Sequence, residues 1–236
     1  MRMRMGEKKR WLVVVLFAAT MAWMESATVF YLRTLVGRID PYQREPLPIA
    51  VGLSQTEIAR EAATLLMLVT VGLLAGRTWR SRAGYFLIAF GVWDMLYYVF
   101  LAVIGGWPRS IMDWDVLFLI PLPWWGPVLS PVLIAAMMIL AGTLVSQYDE
   151  PDRPMWPGRW AWVLNILGVF VALYVFMSDA IRAIPGGVDA IRGVLPASFN
   201  WPLFIVALIL MAAPIVDVGR RVWRRNLAKV SAPSRS

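Results

Sequence analysis

Residues Gly84–Ile104 read GYFLIAFGVWDMLYYVFLAVI, an apolar run interrupted near its middle by one ionisable side chain, Asp94. A helix that crosses a bilayer needs about 20 predominantly apolar residues. The 236-residue chain contains five further stretches of this kind. Together they predict an all-α, polytopic transmembrane helix bundle of about six spans, at 11–32, 56–76, 84–104, 127–145, 160–177 and 201–218.

Composition excludes many classes of protein. Hydrophobic residues make up 59% of the chain and charged residues 16%, whereas a soluble domain carries about 25% charged residues. Cysteine and histidine are both absent, which removes thiolate chemistry and the commonest metal ligand. We therefore expect neither a cofactor nor a metal site. The chain has a net charge of +8, and its basic residues lie beside apolar segments. This position favours contact with anionic lipid head groups over binding of nucleic acid.

The basic residues also predict an orientation. Segment 1–10 and segment 219–236 are both basic, and six spans would put them on one side of the membrane. Because basic residues accumulate on the cytoplasmic side, we expect both termini in the cytoplasm of a bacterial inner membrane, around a single transmembrane domain at 11–218. A cleaved signal peptide is the alternative for the first span, but its apolar run continues past Glu25 without a small-residue cleavage site.

Prolines interrupt the approach to the fourth span. Met112–Ile120 is apolar but too short to cross a bilayer, and Pro121, Pro123 and Pro127 follow it. One interpretation is a half-helix that re-enters the membrane, with a new helix starting at Pro127. The alternative is a surface loop followed by proline in the first helical turn.

Two local patterns predict smaller features. Ser54–Glu57 matches a capping box for the second span. The segment 179–196 repeats an aspartate, an arginine three residues later and then a proline, which predicts two short amphipathic turns forming a lid. A solvated connector is the alternative for that segment.

Ionisable residues inside or beside the spans are the candidate site. A charge at the bilayer centre costs about 2.5–3.5 kcal/mol on insertion scales, so such residues face protein or water. The candidates for one outward-facing polar pocket are Glu25, Arg33, Glu57, Arg60, Glu61, Asp94, Tyr97, Arg109, Asp113 and Asp115.

Helical spacing suggests how these residues pair. Glu57 and Glu61 lie four residues apart on one helical face, with Arg60 beside them. We expect Glu25 or Glu61 to pair with Arg60, and Asp94 with Tyr97 or an arginine from another helix. The alternative interpretation is a set of interhelical salt bridges with no substrate.

Three segments carry a resemblance. EIAREAATLLML (57–68), GVWDMLYYVFL (91–101) and WPRSIMDWDVLFLIPLPWWGPVLSP (107–131) are similar to stretches of a family of bacterial polytopic membrane proteins with no assigned activity. The resemblance covers about the first 145 residues. It implies that the residues Glu25, Glu57, Arg60, Glu61, Asp94 and Asp115 form a framework typical of that family.

Three functional classes follow from the sequence. The first is a solute-binding or permease-like protein, and the second is an accessory subunit of a larger membrane complex. The third is a membrane-embedded enzyme that uses carboxylates on a lipid or isoprenoid head group. A non-enzymatic protein is favoured narrowly, because the paired aspartates Asp113 and Asp115 point to different faces of a helix.

Overall fold

The computed structural model describes residues 5–43, 51–118, 121–150 and 152–231. Within these ranges the chain forms eight α-helices and one two-stranded hairpin. The helices are α1 (Met5–Leu35), α2 (Val51–Ala75), α3 (Trp79–Gly105), α4 (Leu129–Tyr148), α5 (Arg159–Ala183), α6 (Gly187–Arg192), α7 (Trp201–Met211) and α8 (Ala213–Ser231); the strands are β1 (Trp114–Phe118) and β2 (Trp124–Pro127).

The protein is a multi-pass helical membrane protein, and the predicted all-α bundle is confirmed. Five helical segments among the described residues are long and apolar enough to cross a membrane: Gly6–Leu35, Trp79–Gly105, Leu129–Tyr148, Arg159–Ile191 and Trp201–Leu227. Helix α2 is a further long helix of 25 residues. That it forms a sixth span stays a prediction.

Helix α3 is the centre of the first half of the bundle, where it packs against α1, α2 and α4. Its closest neighbour is α4, because glycines remove the side chains between the two backbones. A Cβ atom added to Gly91 would lie 2.5 Å from the Ala135 carbonyl oxygen, and one added to Gly142 would collide with the Gly84 carbonyl oxygen. Small residues of this kind allow membrane helices to approach closely.

The second half of the bundle is the pair α5 and α7. Helix α5 packs against α7, against β2 near its C-terminal end and against α8 near its N-terminal end. Trp124 of β2 stacks on Phe176 of α5, with ring centroids 6.4 Å apart. Val218 of α8 belongs to the same buried cluster as Leu144 of α4. The α5–α7 pair is therefore joined to α3 and α4 mainly at its two ends, which we call the hairpin end and the α8 end.

Each end is held by side chains from several loops. At the hairpin end, Tyr42 stacks on Trp114 and donates a hydrogen bond to the Pro196 carbonyl oxygen at 2.6 Å. At the α8 end, the buried Asp149 accepts hydrogen bonds from Arg80 Nε at 2.7 Å and from the Met155 amide at 2.9 Å, and also from the Thr78 hydroxyl.

Of the two interpretations of Met112–Ile120, the half-helix is wrong for the part of the segment that the structure describes. Trp114–Phe118 is a strand, paired antiparallel with Trp124–Pro127, while Leu119 and Ile120 lie outside the described residues. The prolines at 121 and 123 lie in the connection between the strands, where their missing amide hydrogens cost no ladder bond. Helix α4 begins at Leu129 and not at Pro127, because Pro127 is the last residue of β2.

Three helix boundaries also differ from the predictions. Helix α2 is already formed at Val51, so the Ser54–Glu57 segment does not cap it, and the side chains of both residues lie outside the described set. The last predicted span is two helices separated at Ala212, because Pro214 provides no amide hydrogen to continue α7. Helix α8 then continues to Ser231, so most of the basic segment 219–236 is helical.

The predicted pair of turns at 179–196 has a different form. The first unit is the C-terminal end of α5, where Arg182 contacts Asp179 at 3.3 Å. Only the second unit, which forms α6, is a separate short helix, and a 3₁₀ turn at Ile184–Gly186 precedes it.

The α3–α4 contact predicts a glycine-specific loss of stability. Gly142→Ala should lower the free energy of unfolding by about 1–3 kcal/mol, because its methyl group would overpack the interface. Gly219→Ala in α8 is the matched control, because a Cβ there meets no atom within 4 Å. The control should raise stability by up to about 1 kcal/mol through helix propensity. Thermal unfolding in one detergent measures both, and equal behaviour of the two variants would contradict the packing argument.

Candidate functional site

A cavity of about 500 Å³ lies between the two halves of the bundle. This volume falls within the range typical of small-molecule sites. One wall comes from α3 and α4, together with residues of α1 and α2, and the other comes from α5, α7 and α8. The apolar lining includes Leu65, Phe90, Trp93, Ile134, Met137, Met138, Ala141, Val169, Leu173, Phe176 and Ile215. Phe118 and Trp124 line it at the hairpin end, and Trp156 and Trp162 at the α8 end.

Three carboxyl groups lie on this otherwise apolar wall: Glu25 of α1, Glu61 of α2 and Asp94 of α3. Glu25 is the one with clear partners. It forms an ion pair with Arg60 and accepts a hydrogen bond from the Thr64 hydroxyl at 3.3 Å. The structure therefore contains one of the two pairings expected for Arg60.

Asp94 lacks the partners that its spacing suggested. No hydrogen bond or ion pair from its carboxyl group, to Tyr97 or to any arginine, is found within the described ranges. Asp94 is half-buried and lines the cavity. Glu61 is half-buried, and its Oε2 atom is buried without a hydrogen-bond partner among the described residues. The cavity thus offers two carboxyl groups with unused acceptor capacity.

Arg33 and Asp115 form a second, separate polar unit. Arg33 Nη2 lies 3.0 Å from Asp115 Oδ1, and only 3% of the Asp115 side chain is exposed. The Arg33 guanidinium also lies over the Trp107 ring, 4.3 Å from its centroid. The buried Tyr98 is close enough to Asp115 to favour its ionised form. This unit ties the end of α1 to the first strand of the hairpin.

Burial and charge act on Asp115 in opposite directions. Burial raises the pKa of the Asp115 carboxyl above its ordinary value, whereas the Arg33 guanidinium and the Val116 amide favour the ionised form and oppose the rise. The interaction with Arg33 therefore favours the charged form of Asp115 at this buried position.

The remaining candidates do not join the cavity wall. Asp113 is a turn residue, since its carboxylate accepts hydrogen bonds from the amides of Arg109 at 2.7 Å and Ser110 at 3.1 Å. Tyr97 packs against Trp93 and Tyr98. The Glu57 side chain lies outside the described residues. The single predicted pocket is therefore divided into the cavity carboxyls, the Arg33–Asp115 unit and a surface turn.

Several contributing residues were not among the predicted site residues. Thr64 follows Glu61 by three residues, a spacing that places both on one helical face and could have identified it. Asn165 lines the cavity from α5 and donates to the Met211 carbonyl oxygen at 3.1 Å, beside the break between α7 and α8. No sequence pattern connects Tyr98 with Asp115, which come together only through the hairpin. Within the described part of the chain, no group of three or more acidic side chains is placed to hold a metal ion.

The Arg33–Asp115 unit predicts a large effect of a single truncation. Asp115→Ala should lower the free energy of unfolding by about 3–5 kcal/mol, because it leaves a mostly buried guanidinium without its partner. Asp179→Ala removes an exposed pair with Arg182 and should cost less than about 1 kcal/mol. Denaturant unfolding in detergent compares the two. Similar losses for both variants would show that Asp115 does not hold the hairpin.

No protein-family model, no curated protein and no solved structure matches this chain. Its function is therefore inferred from the site itself. That site is an intramembrane cavity with an apolar wall and carboxyl groups confined to α1, α2 and α3.

Proposed function

We propose that this protein binds an amphipathic molecule within the membrane, with the apolar part of the molecule in the cavity and its polar end at the carboxyl groups. The observation that carries this proposal is the cavity of about 500 Å³, whose wall is apolar except at Glu25, Glu61 and Asp94 and at a few neutral polar groups. Ligand sites of this composition bind through apolar contact, while a few polar groups orient the ligand.

The construction of the wall supports a chain-like ligand. Methionines at 137, 138 and 211 and aromatic rings at both ends line the cavity. Methionine side chains are flexible and polarisable, so they adapt to chains of different shape. The indole N–H groups of Trp93, Trp124 and Trp162 are buried without an acceptor among the described residues, and all three residues line the cavity. Such groups normally have a partner, which is consistent with a ligand that carries polar atoms.

We place this activity in a solute-binding or permease-like protein, or in an accessory subunit of a membrane complex that presents the ligand to a partner. The proposed setting is a bacterial cytoplasmic membrane with both termini in the cytoplasm, as the distribution of basic residues predicts. Anionic head groups would then contact the exposed Arg220 and Arg224 of α8.

A membrane-embedded enzyme that acts on a lipid or isoprenoid head group is the second candidate. The specific observation in its favour is Asp94, whose carboxyl group lies on the cavity wall without a hydrogen-bond partner among the described residues. Such a group is available for proton transfer to a bound molecule. Chemical change of an extracted ligand during incubation with the purified protein would distinguish this candidate from simple binding.

Filling the cavity tests the proposal. Ala141 lines the cavity, and Ala136, on the same helix, is exposed and lies outside the lining. Ala141→Trp should lower the amount of co-purifying amphiphile by about tenfold or more, which corresponds to a loss of about 1.4 kcal/mol of binding free energy. Solvent extraction of the purified protein, followed by mass spectrometry, measures this amount.

Ala136→Trp is the matched control, because it adds the same side chain to the exposed face of α4. The control should retain the wild-type amount of amphiphile. Equal recovery from both variants and the wild type, or no specific molecule in any of them, would refute binding in the cavity.

A further inference from the structure

We infer that the polar end of the ligand is a cation, such as an alkylammonium group, held by Asp94 and Glu61. This inference rests on the proposed binding function and adds the chemical class of the head group. Its basis is the distribution of charge on the cavity wall, where the charged side chains among the described residues are Glu25, Glu61 and Asp94. All three are acidic.

The three carboxyl groups are not equivalent. Glu25 is engaged by Arg60 and Thr64, so its charge is balanced within the protein. Asp94 has no ion pair or hydrogen bond in the described part of the chain, and Glu61 Oε2 has no hydrogen-bond partner there. Asp94 and Glu61 therefore retain acceptor capacity for a ligand.

The surroundings of Asp94 make an unbalanced negative charge costly. Phe90 and Trp93 precede it on α3, and Leu87 lies two helical turns before it on the same wall. A carboxylate in an apolar environment loses its hydration, and a cation close by compensates for that loss. An incoming cation would offset this cost.

The same geometry disfavours other head groups. A phosphate or carboxylate would bring like charges together in a medium of low dielectric constant, where the repulsion is strong. A hydroxyl group could donate one hydrogen bond but would leave the carboxylate charge without a counter-ion. A cation gains a further contribution from the Trp93 and Phe90 rings beside Asp94, because aromatic faces attract ammonium groups.

Matched probes test the inference on the full-length protein. Hexadecylamine, hexadecanol and hexadecanoate share one chain and differ in their head groups, and native mass spectrometry in a non-ionic detergent measures the Kd of each. We expect hexadecylamine to bind at least about tenfold more tightly than hexadecanol, and hexadecanoate to bind most weakly. Asp94→Asn and Glu61→Gln, singly and together, should weaken the binding of hexadecylamine more than that of hexadecanol, so that the amine preference falls. The thermal unfolding midpoint of each variant in the same detergent, compared with that of the wild type, reports that the variants are folded.

Asp179→Asn is the control for charge alone, because Asp179 lies at the end of α5 and is not part of the cavity wall. It should keep the full amine preference. Equal affinities for the three probes in the wild-type protein, or a preference that survives in the double variant, would overturn the inference while leaving the cavity as a hydrocarbon site. Absence of binding by all three probes would instead overturn the proposed function.

Discussion

The close approach of α3 and α4 is the contact on which the rest of the architecture depends. Glycines at 84, 91 and 142 let the two backbones touch. In a bilayer such packing is a main source of helix association, because lipid tails are as apolar as the side chains and provide no hydrophobic driving force. With α3 held against α4, its other faces remain for α1 and α2. The face that carries Trp93 and Asp94 is then directed along the edge of α4 and into the cavity.

The cavity exists because the α5–α7 pair is joined to this unit mainly at its ends. Aromatic stacking of Trp124 on Phe176 joins the hairpin end, and packing of Val218 with Leu144 and Met155 joins the α8 end. The space between these two contacts is lined by side chains that do not interdigitate across it. Larger side chains or a shift of α5 toward α4 would be needed to close this space. The contacts at the two ends of α5 oppose such a shift.

Two acidic residues of the bundle, Asp115 and Asp94, differ in whether the protein supplies partners for their carboxyl groups. Asp115 has Arg33, Tyr98 and the Val116 amide around it, so its charge is balanced within the fold and holds the hairpin. Asp94 has no such hydrogen bond or ion pair among the described residues. Because an uncompensated charge in an apolar environment is costly, this carboxyl group is the feature from which we propose a ligand.

The sequence by itself determined the class of fold and the residues worth attention. Bilayer thickness sets the length of an apolar span, so the runs at 11–32, 84–104 and 160–177 could be recognised without any tertiary information. The cost of charge in hydrocarbon likewise identified Glu25 and Asp94.

Tertiary structure alone decided which charges pair, because partners such as Arg33 and Asp115 come from distant segments. It also decided that 114–118 is a strand, since a short apolar run suits a helix or a strand equally and only pairing with Trp124–Pro127 selects one. The cavity itself could not be predicted, because it depends on how far apart α4 and α5 are held, and that distance is set by contacts at their ends.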